Sequence, residues 1–395
     1  MRVGYLTYGL DRSPTGIGRY ALELLHALAG LAGGSGNGAG RTGRAAPHME
    51  IVLLTTERSD PFGIWQEFEH HPLPGCGLLP VLTTSGHLAV AAAVRRHRLD
   101  VVHDPNGIAP FLGPRAGARR VVTIHDAFPY VYPEKHNRAD NWRYRWLLPH
   151  AARRADAVIT VSQCSRRDLV RGLGVPQERI RITTEGVNAR FRPVEDGPAR
   201  RALLDRYGIT GPYVLYVGGI NARKNISRLF EAFARVLDIC AASGAPKPQL
   251  VIAGKRQWRT EEIEATFRRL NLAAHVHFTG YAGDEDLPGL YSAAELLAFP
   301  SLYEGFGLPP LEAMACGTPV VTSNVSSIPE VVGDAALMVD PHDVDGLAAA
   351  MVQVLTDSAL RGELRRRGLQ HAARFTWARA ARETLNVYQD LYAHV

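Results

Sequence analysis

A chain of 395 residues is too long for one ordinary hydrophobic core and suits two domains. Hydrophobic residues form 46% of it and charged residues 21%, a globular balance, and no run of about 18 uninterrupted apolar residues appears, so no membrane-spanning helix is expected. The net charge of +6 resides in the first half: residues 1–196 hold 25 Lys and Arg against 18 Asp and Glu, the remainder 20 against 21, and no nucleic-acid module accompanies the surplus, so nucleic acid is not expected as a partner.

The first ten residues, MRVGYLTYGL, read as a first strand and not as a signal peptide. Cys76, Cys164, Cys240 and Cys316 are scattered without paired spacing, as buried thiols of a reducing compartment would be, and no zinc motif is visible. In the first half, strand-like runs at 3–8, 51–55, 99–103, 120–125, 157–161 and 180–184 alternate with helix-like segments at 17–31, 87–98, 137–154 and 165–172. That alternation predicts an α/β fold with a doubly wound parallel sheet. Residues 30–47, rich in Gly and Ala, read as a surface loop without chemistry.

Three features of this half bear on chemistry. Gly16 and Gly18 stand in Thr15-Gly16-Ile17-Gly18-Arg19-Tyr20-Ala21 ahead of a long helix. A dinucleotide fingerprint is argued against by its distance from the first strand and by the missing acid about 20 residues on. His125 ends a predicted parallel strand, the edge where such folds place ligand groups, and His103 ends the preceding one. Residues 135–154, KHNRADNWRYRWLLPHAARR, interleave six cations with aromatic and aliphatic residues. Such a helix can lie on an anionic membrane surface; an ordinary surface helix with its aromatics packed inward fits equally well. Pro149 limits the length of an ideal helix there.

The join falls in 191–200, FRPVEDGPAR, where Pro, Gly and charge cluster. Strands are then predicted at 213–217, 249–253, 275–279, 295–299, 319–322 and 336–339, and helices at 227–241, 260–270, 284–293, 308–316 and 344–355. Residues 375–395 read as a terminal amphipathic helix. After the strand at 213–217 comes Gly218-Gly219-Ile220-Asn221-Ala222-Arg223-Lys224-Asn225, a glycine turn opening a helix with two adjacent cations. It suits a diphosphate leaving group, whose developing charge the cations would offset. Asp284-Glu285-Asp286 looks like a metal-binding D-x-D, but its place before LPGLY favours helix capping, and no metal is expected.

The most informative stretch is 301–322, SLYEGFGLPPLEAMACGTPVVT. Its grammar is glycine loop, helix start, helix, glycine stop and strand. Pro309 and Pro310 suit a first turn, and Gly317 a left-handed stop. A glycine loop entering a helix exposes backbone N–H groups and a positive dipole end, a ready phosphate site. Glu304 in the loop and Glu312 in the helix could then hydrogen-bond two hydroxyl-rich parts of one ligand. A glycosidase acid–nucleophile pair is the competing reading, without further support along the chain.

This stretch resembles the E-x7-E motif of the family-four retaining glycosyltransferases, and with the cations at 218–225 the resemblance covers nearly the whole chain. It implies the GT-B plan: two Rossmann-like domains facing a cleft, here 1–192 for the acceptor and 193–374 for the nucleotide-sugar donor, with a helix at 375–395 returning to the first domain. Glu304 would hold the donor sugar, Glu312 the ribose, and Phe306, Gly307 and Leu308 would offer backbone donors. Lys224 would meet the phosphates, with Arg223 and Gly219 beside it; many relatives carry an arginine where this chain has Gly219. Gly16 and Gly18 would point at the phosphates and acceptor, His125 would lie near the transferred sugar, and Tyr281 near the nucleobase.

The implied enzyme is a retaining, metal-independent hexosyltransferase without a cofactor, acting in polysaccharide or glycolipid assembly. GGINARKN is most similar to bacterial polysaccharide mannosyltransferases, so GDP-mannose is the first expectation for the donor and a UDP-sugar the second. The acceptor would be a carbohydrate or lipid-linked hydroxyl, and the setting cytoplasmic, peripheral to the inner membrane face if 135–154 binds lipid. Two alternatives stay open on sequence alone: a sugar-nucleotide 2-epimerase of the same fold, and a non-catalytic nucleotide-sugar-binding subunit.

Overall fold

The computed structural model describes residues 1–10, 16–33, 49–73, 75–77, 79–109, 111–132, 138–257 and 260–393, with 33, 79, 80 and 138–143 described by backbone alone. The chain divides into two compact units, Met1–Gly186 with Thr376–Val395 and Val187–Phe375.

The first unit carries a seven-stranded sheet: β1 (Arg2–Leu6), β2 (Glu50–Thr55), β3 (Glu69–Pro72), β4 (Val101–Asp104), β5 (Arg119–Thr123), β6 (Ala157–Thr160) and β7 (Ile180–Ile182). They lie in the order β3-β2-β1-β4-β5-β6-β7. All pairs are parallel, with Val3 of β1 opposite Ile51 on one side and Val101 on the other. Continuous burial along β4 and β6 is what a parallel sheet covered on both faces requires. The polar run EHHP at β3 escapes a hydrophobicity reading because it is an edge strand held by backbone pairing to β2. Predicted helices at 87–98 and 165–172 are found at Gly86–His97 and Gln163–Leu173. The Gly-rich 30–47 segment is helical to Gly33 and beyond that lies outside the described residues.

Pro149 does not end its helix, which runs Arg138–Arg154. A proline strands the carbonyl four residues back, and here the Tyr130 hydroxyl donates to the Arg145 carbonyl at 2.6 Å, filling that position from outside the helix.

The C-terminal helix Trp377–Tyr392 packs on Gly16–Gly33 through an apolar stripe that includes Trp377, Ala380, Ala381, Val387 and Tyr388. Its N-cap is Thr376, whose hydroxyl accepts from the Arg379 amide. Tyr388 shares a 2.6 Å hydrogen bond with Nδ1 of fully buried His103, whose Nε2 lies 2.8 Å from the Thr123 hydroxyl. His103 is thus a structural group joining the terminal helix to the sheet, and burial pushes its pKa down to about 3.

The first unit ends at Gly186, earlier than the 191–200 stretch marks it. Each unit ties its own ends together. A Cβ on Gly186 would lie 2.3 Å from the Trp377 amide nitrogen, while the Val187 amide donates to the Phe375 carbonyl at 3.0 Å. FRPVEDGPAR already belongs to the second unit, with the Phe191 ring edge-on to Tyr291 at 6.1 Å and the Val194 amide donating to Ser292.

The second unit carries β8 (Tyr213–Val217), β9 (Gln249–Ala253), β10 (Val276–Gly280), β11 (Leu296–Phe299), β12 (Val320–Ser323) and β13 (Leu337–Val339). Their order is β10-β9-β8-β11-β12-β13, again parallel. Every residue of β8 and β11 is buried, which accounts for their plain apolar runs. Helices Pro198–Arg206 and Ser358–Ala372 lack a clear apolar rhythm and were not foreseen.

Candidate active site

Beyond β8 the chain turns at Gly218, which has φ +144°. A Cβ on Gly254, just past β9, would lie 1.8 Å from the Gly218 carbonyl oxygen, so glycine at 254 is a steric necessity. Gly219 has no side chain of its own, and Gln257 fills that space: a Cβ at 219 would stand 2.4 Å from its carboxamide carbon. Gln257 in turn accepts from the Asn221 amide nitrogen at 2.6 Å. Asn221 caps the 3-10 turn Ala222–Lys224 by accepting from the Arg223 amide. Asn225 then takes the left-handed conformation, and its side-chain amide donates to the Pro300 and Pro341 carbonyls. This scaffold aims Lys224 inward, 8% exposed.

Lys224 is answered by Glu304, 7% exposed, with Nζ 2.6 Å from Oε1. Arg223 stands 3.8 Å from Oε2, and the Ser301 hydroxyl donates to Oε1 at 2.6 Å. The Leu302 amide donates to the Arg223 carbonyl at 2.9 Å, stitching the two loops together. Burial would raise the Glu304 pKa, but Lys224, Arg223 and the hydrogen bonds outweigh it and hold the carboxyl below its usual range.

Gly307, at φ +124°, precedes the helix Leu308–Ala315, whose first turn carries Pro309 and Pro310; Gly317, at φ +76°, follows its end. Glu312 points inward at 3% exposure and accepts from the Tyr291 hydroxyl at 3.0 Å. Phe306 is buried against Phe375 at 6.0 Å, so it serves packing, with its backbone beside the helix start. Tyr281 is 45% exposed under the Lys255 ammonium, 4.6 Å from its ring centre, an open aromatic face beyond β10.

Asp286 does occupy the N-cap position of Leu287–Ala293, but its side chain makes no cap. It takes the Arg206 guanidinium and, at 2.7 Å, the Tyr207 hydroxyl; Asp284 and Glu285 face Arg190 at 3.9 and 3.4 Å. The D-x-D look-alike is therefore an arginine-binding acidic cluster.

In the first unit, β5 stops at Thr123, so His125 sits just past the strand end. Its Nε2 is 2.9 Å from the Pro105 carbonyl, which can only accept, so Nε2 carries a proton. Its Nδ1 is 3.5 Å from Glu185, and the Tyr20 ring stands edge-on at 4.5 Å. Gly16 and Gly18 form the first turn of Gly16–Gly33 and not a loop ahead of it; Thr15 lies outside the described residues.

Within the second unit the structure thus brings Lys224, Arg223 and Glu304 into one cluster and holds Glu312 by Tyr291. Ser301, Tyr291 and, beside His125, Glu185 went unnoticed in the sequence. Ser301 lies three residues from Glu304 and could have been suspected as a local donor; Tyr291 and Glu185 carry no such signal.

Residues 205–371 match the family Glycosyl transferases group 1, and residues 14–191 match Glycosyltransferase Family 4. O-antigen chain mannosyltransferase B of Escherichia coli is 34% identical, covering 99% of this chain and all of that one. The chain belongs to glycosyltransferase family four. This glycosyltransferase is also 31% identical to the MMP alpha-(1->4)-mannosyltransferase of Mycolicibacterium hassiacum, over 79% of this chain and 76% of the relative. Sucrose-phosphate synthase from Thermosynechococcus elongatus superposes with a TM-score of 0.78 at 25% identity, each chain wholly covered. WaaG, a lipopolysaccharide-biosynthesis glycosyltransferase, gives 0.70 at 20% identity, covering 98% and 99%. The fold is GT-B, and the chain is a glycosyltransferase acting in glycan assembly.

Proposed function

We propose that this glycosyltransferase moves mannose from GDP-mannose to an acceptor hydroxyl in polysaccharide or lipid-linked glycan assembly, with retention of anomeric configuration and without a metal or cofactor. The buried Lys224–Glu304 pair beside the helix start at Gly307 carries the reading. A buried lysine held by a carboxylate can pass to a departing diphosphate, releasing the carboxylate to a sugar hydroxyl. Arg223 adds charge, and the amides at 306–308 add dipoles aimed at the phosphates. Glu312 is assigned the ribose, Tyr281 the base, and His125 an oxygen gaining charge on the sugar or phosphate. As the sugar–phosphate bond breaks, the acceptor oxygen attacks from the same face and its proton leaves on a phosphate oxygen.

Mannose rests on the names of the E. coli and M. hassiacum relatives and on the GGINARKN string. A cytoplasmic setting rests on four free cysteines and on the lack, among described residues, of any helix long and apolar enough to cross a membrane. Peripheral membrane contact is supported by Trp146, 43% exposed beside Arg145, although Leu147 and Leu148 point inward. Binding to anionic vesicles should float the protein with liposomes containing phosphatidylglycerol; no flotation removes that contact.

Thermal-shift screening with GDP, UDP and ADP separates the donors: GDP should raise Tm most, and a larger shift with UDP would replace GDP-mannose. Turnover abolished by EDTA and restored by Mn2+ would end the metal-free reading, and an inverted product anomer by NMR would end retention.

A further inference from the structure

We propose that Ser326 is a positioning residue that holds the backbone of Glu304 in register for the sugar. Ser326 follows β12 in a left-handed conformation, φ +61°, which a non-glycine residue seldom adopts. Its hydroxyl engages both polar groups of one residue: it accepts from the Glu304 amide at 3.1 Å and donates to the Glu304 carbonyl at 2.6 Å. Such a closed pair fixes the two peptides flanking the Glu304 Cα, and hence the direction in which its carboxylate leaves the chain. Ser327, fully buried, is within 2.9 Å of the same carbonyl and 2.6 Å of the Phe306 carbonyl. Ser327 has one hydroxyl proton and lies closer to the Phe306 carbonyl, so within this clamp Ser326 serves both the amide and the carbonyl of Glu304. Strain at a non-glycine residue persists where the surrounding structure requires it, and such outliers gather at functional sites. Glycine would suit the backbone here better than serine; the hydroxyl is what glycine cannot supply.

The inference rests on Glu304 contacting the sugar, and the test separates the two. Full-length Ser326→Gly, Ser326→Ala, Ser326→Asn and Glu304→Ala are compared with wild type for GDP release from GDP-mannose with methyl α-mannoside. GDP affinity is measured by calorimetry and Tm alongside. Ser326→Gly should keep its Tm and bind GDP within about twofold, yet lose kcat on the order of 100-fold, the scale of a small misplacement of a reacting group. Ser326→Ala should lose as much kcat with a lower Tm. Ser326→Asn tolerates the left-handed backbone and carries both a donor and an acceptor, so it should recover part of the rate. Wild-type kcat in Ser326→Gly beside an inactive Glu304→Ala overturns the inference alone. GDP affinity falling in step with kcat also overturns it, because the hydroxyl would then serve the phosphate loop generally. Wild-type kcat in Glu304→Ala removes the assignment of Glu304 itself.

Discussion

Lys224 and Glu304 are each nearly buried, and neither charge is tolerable there alone. Removing one partner leaves the other stranded, so Lys224→Met or Glu304→Ala should each cost about 3–5 kcal/mol of second-unit stability. The double variant should cost less than the sum, and a urea-denaturation double-mutant cycle would expose that coupling. Turnover should fall by about 100-fold or more in each single variant, because both groups act where charge develops. His103 makes a different prediction. Held neutral to about pH 3 when folded, it takes a proton near 6.5 when unfolded, so the unfolded chain binds more protons between those values. Its contribution is complete above about pH 6.5 and is lost as pH falls toward 3, by up to about 1.4 kcal/mol per pH unit. His103→Gln should flatten that slope, measured by denaturation between pH 7 and 4. Glu304, held below its usual range, adds a loss of the same sign at lower pH, as protonation removes its ion pair.

Among the elements, the loop–helix start at 304–308 depends on glycine for two separate reasons. Gly307 has φ +124°, and a Cβ there would stand 2.8 Å from Ile328 Cδ1. Gly307→Ala should therefore lower stability by about 1–3 kcal/mol and weaken GDP binding, read by calorimetry, since the helix start must shift. Gly254→Ala should be harsher still, because its obstacle is backbone at 1.8 Å that no rotamer can clear. EGFGLPP announces this element by composition, which is why its bounds and its two glutamates were legible beforehand. Capping by Asp286 was misjudged because Arg206 and Tyr207, some 80 residues away, compete for its carboxylate. The helix predicted at 137–154 runs through Pro149 unbroken because Tyr130 supplies the hydrogen bond that proline removes.

For the whole molecule, the C-terminal helix belongs to the first unit although it follows the second in sequence. Its loss would strip Tyr388 from His103 and bare the Tyr20 face that packs on Trp377 at 5.7 Å. A chain ending at Phe375 should show a weakened first unit and a second unit melting as before. Calorimetry with domain-resolved proteolysis would check this, and equal protease resistance of both units in the shortened chain would contradict it.

The sequence by itself determined the parallel α/β class, six of the seven strands of the first sheet and all six of the second, and the loop–helix segment carrying Glu304 and Glu312. Buried parallel strands announce themselves as apolar runs, and glycine and proline mark turns through local sterics. Tertiary structure alone decided that Lys224 pairs with Glu304, that Tyr291 holds Glu312, that Glu185 stands beside His125, and that EHHP forms an edge strand. Those partners are distant in sequence, and a side chain's chemical role depends on which charges and hydroxyls the fold brings within a few ångströms of it.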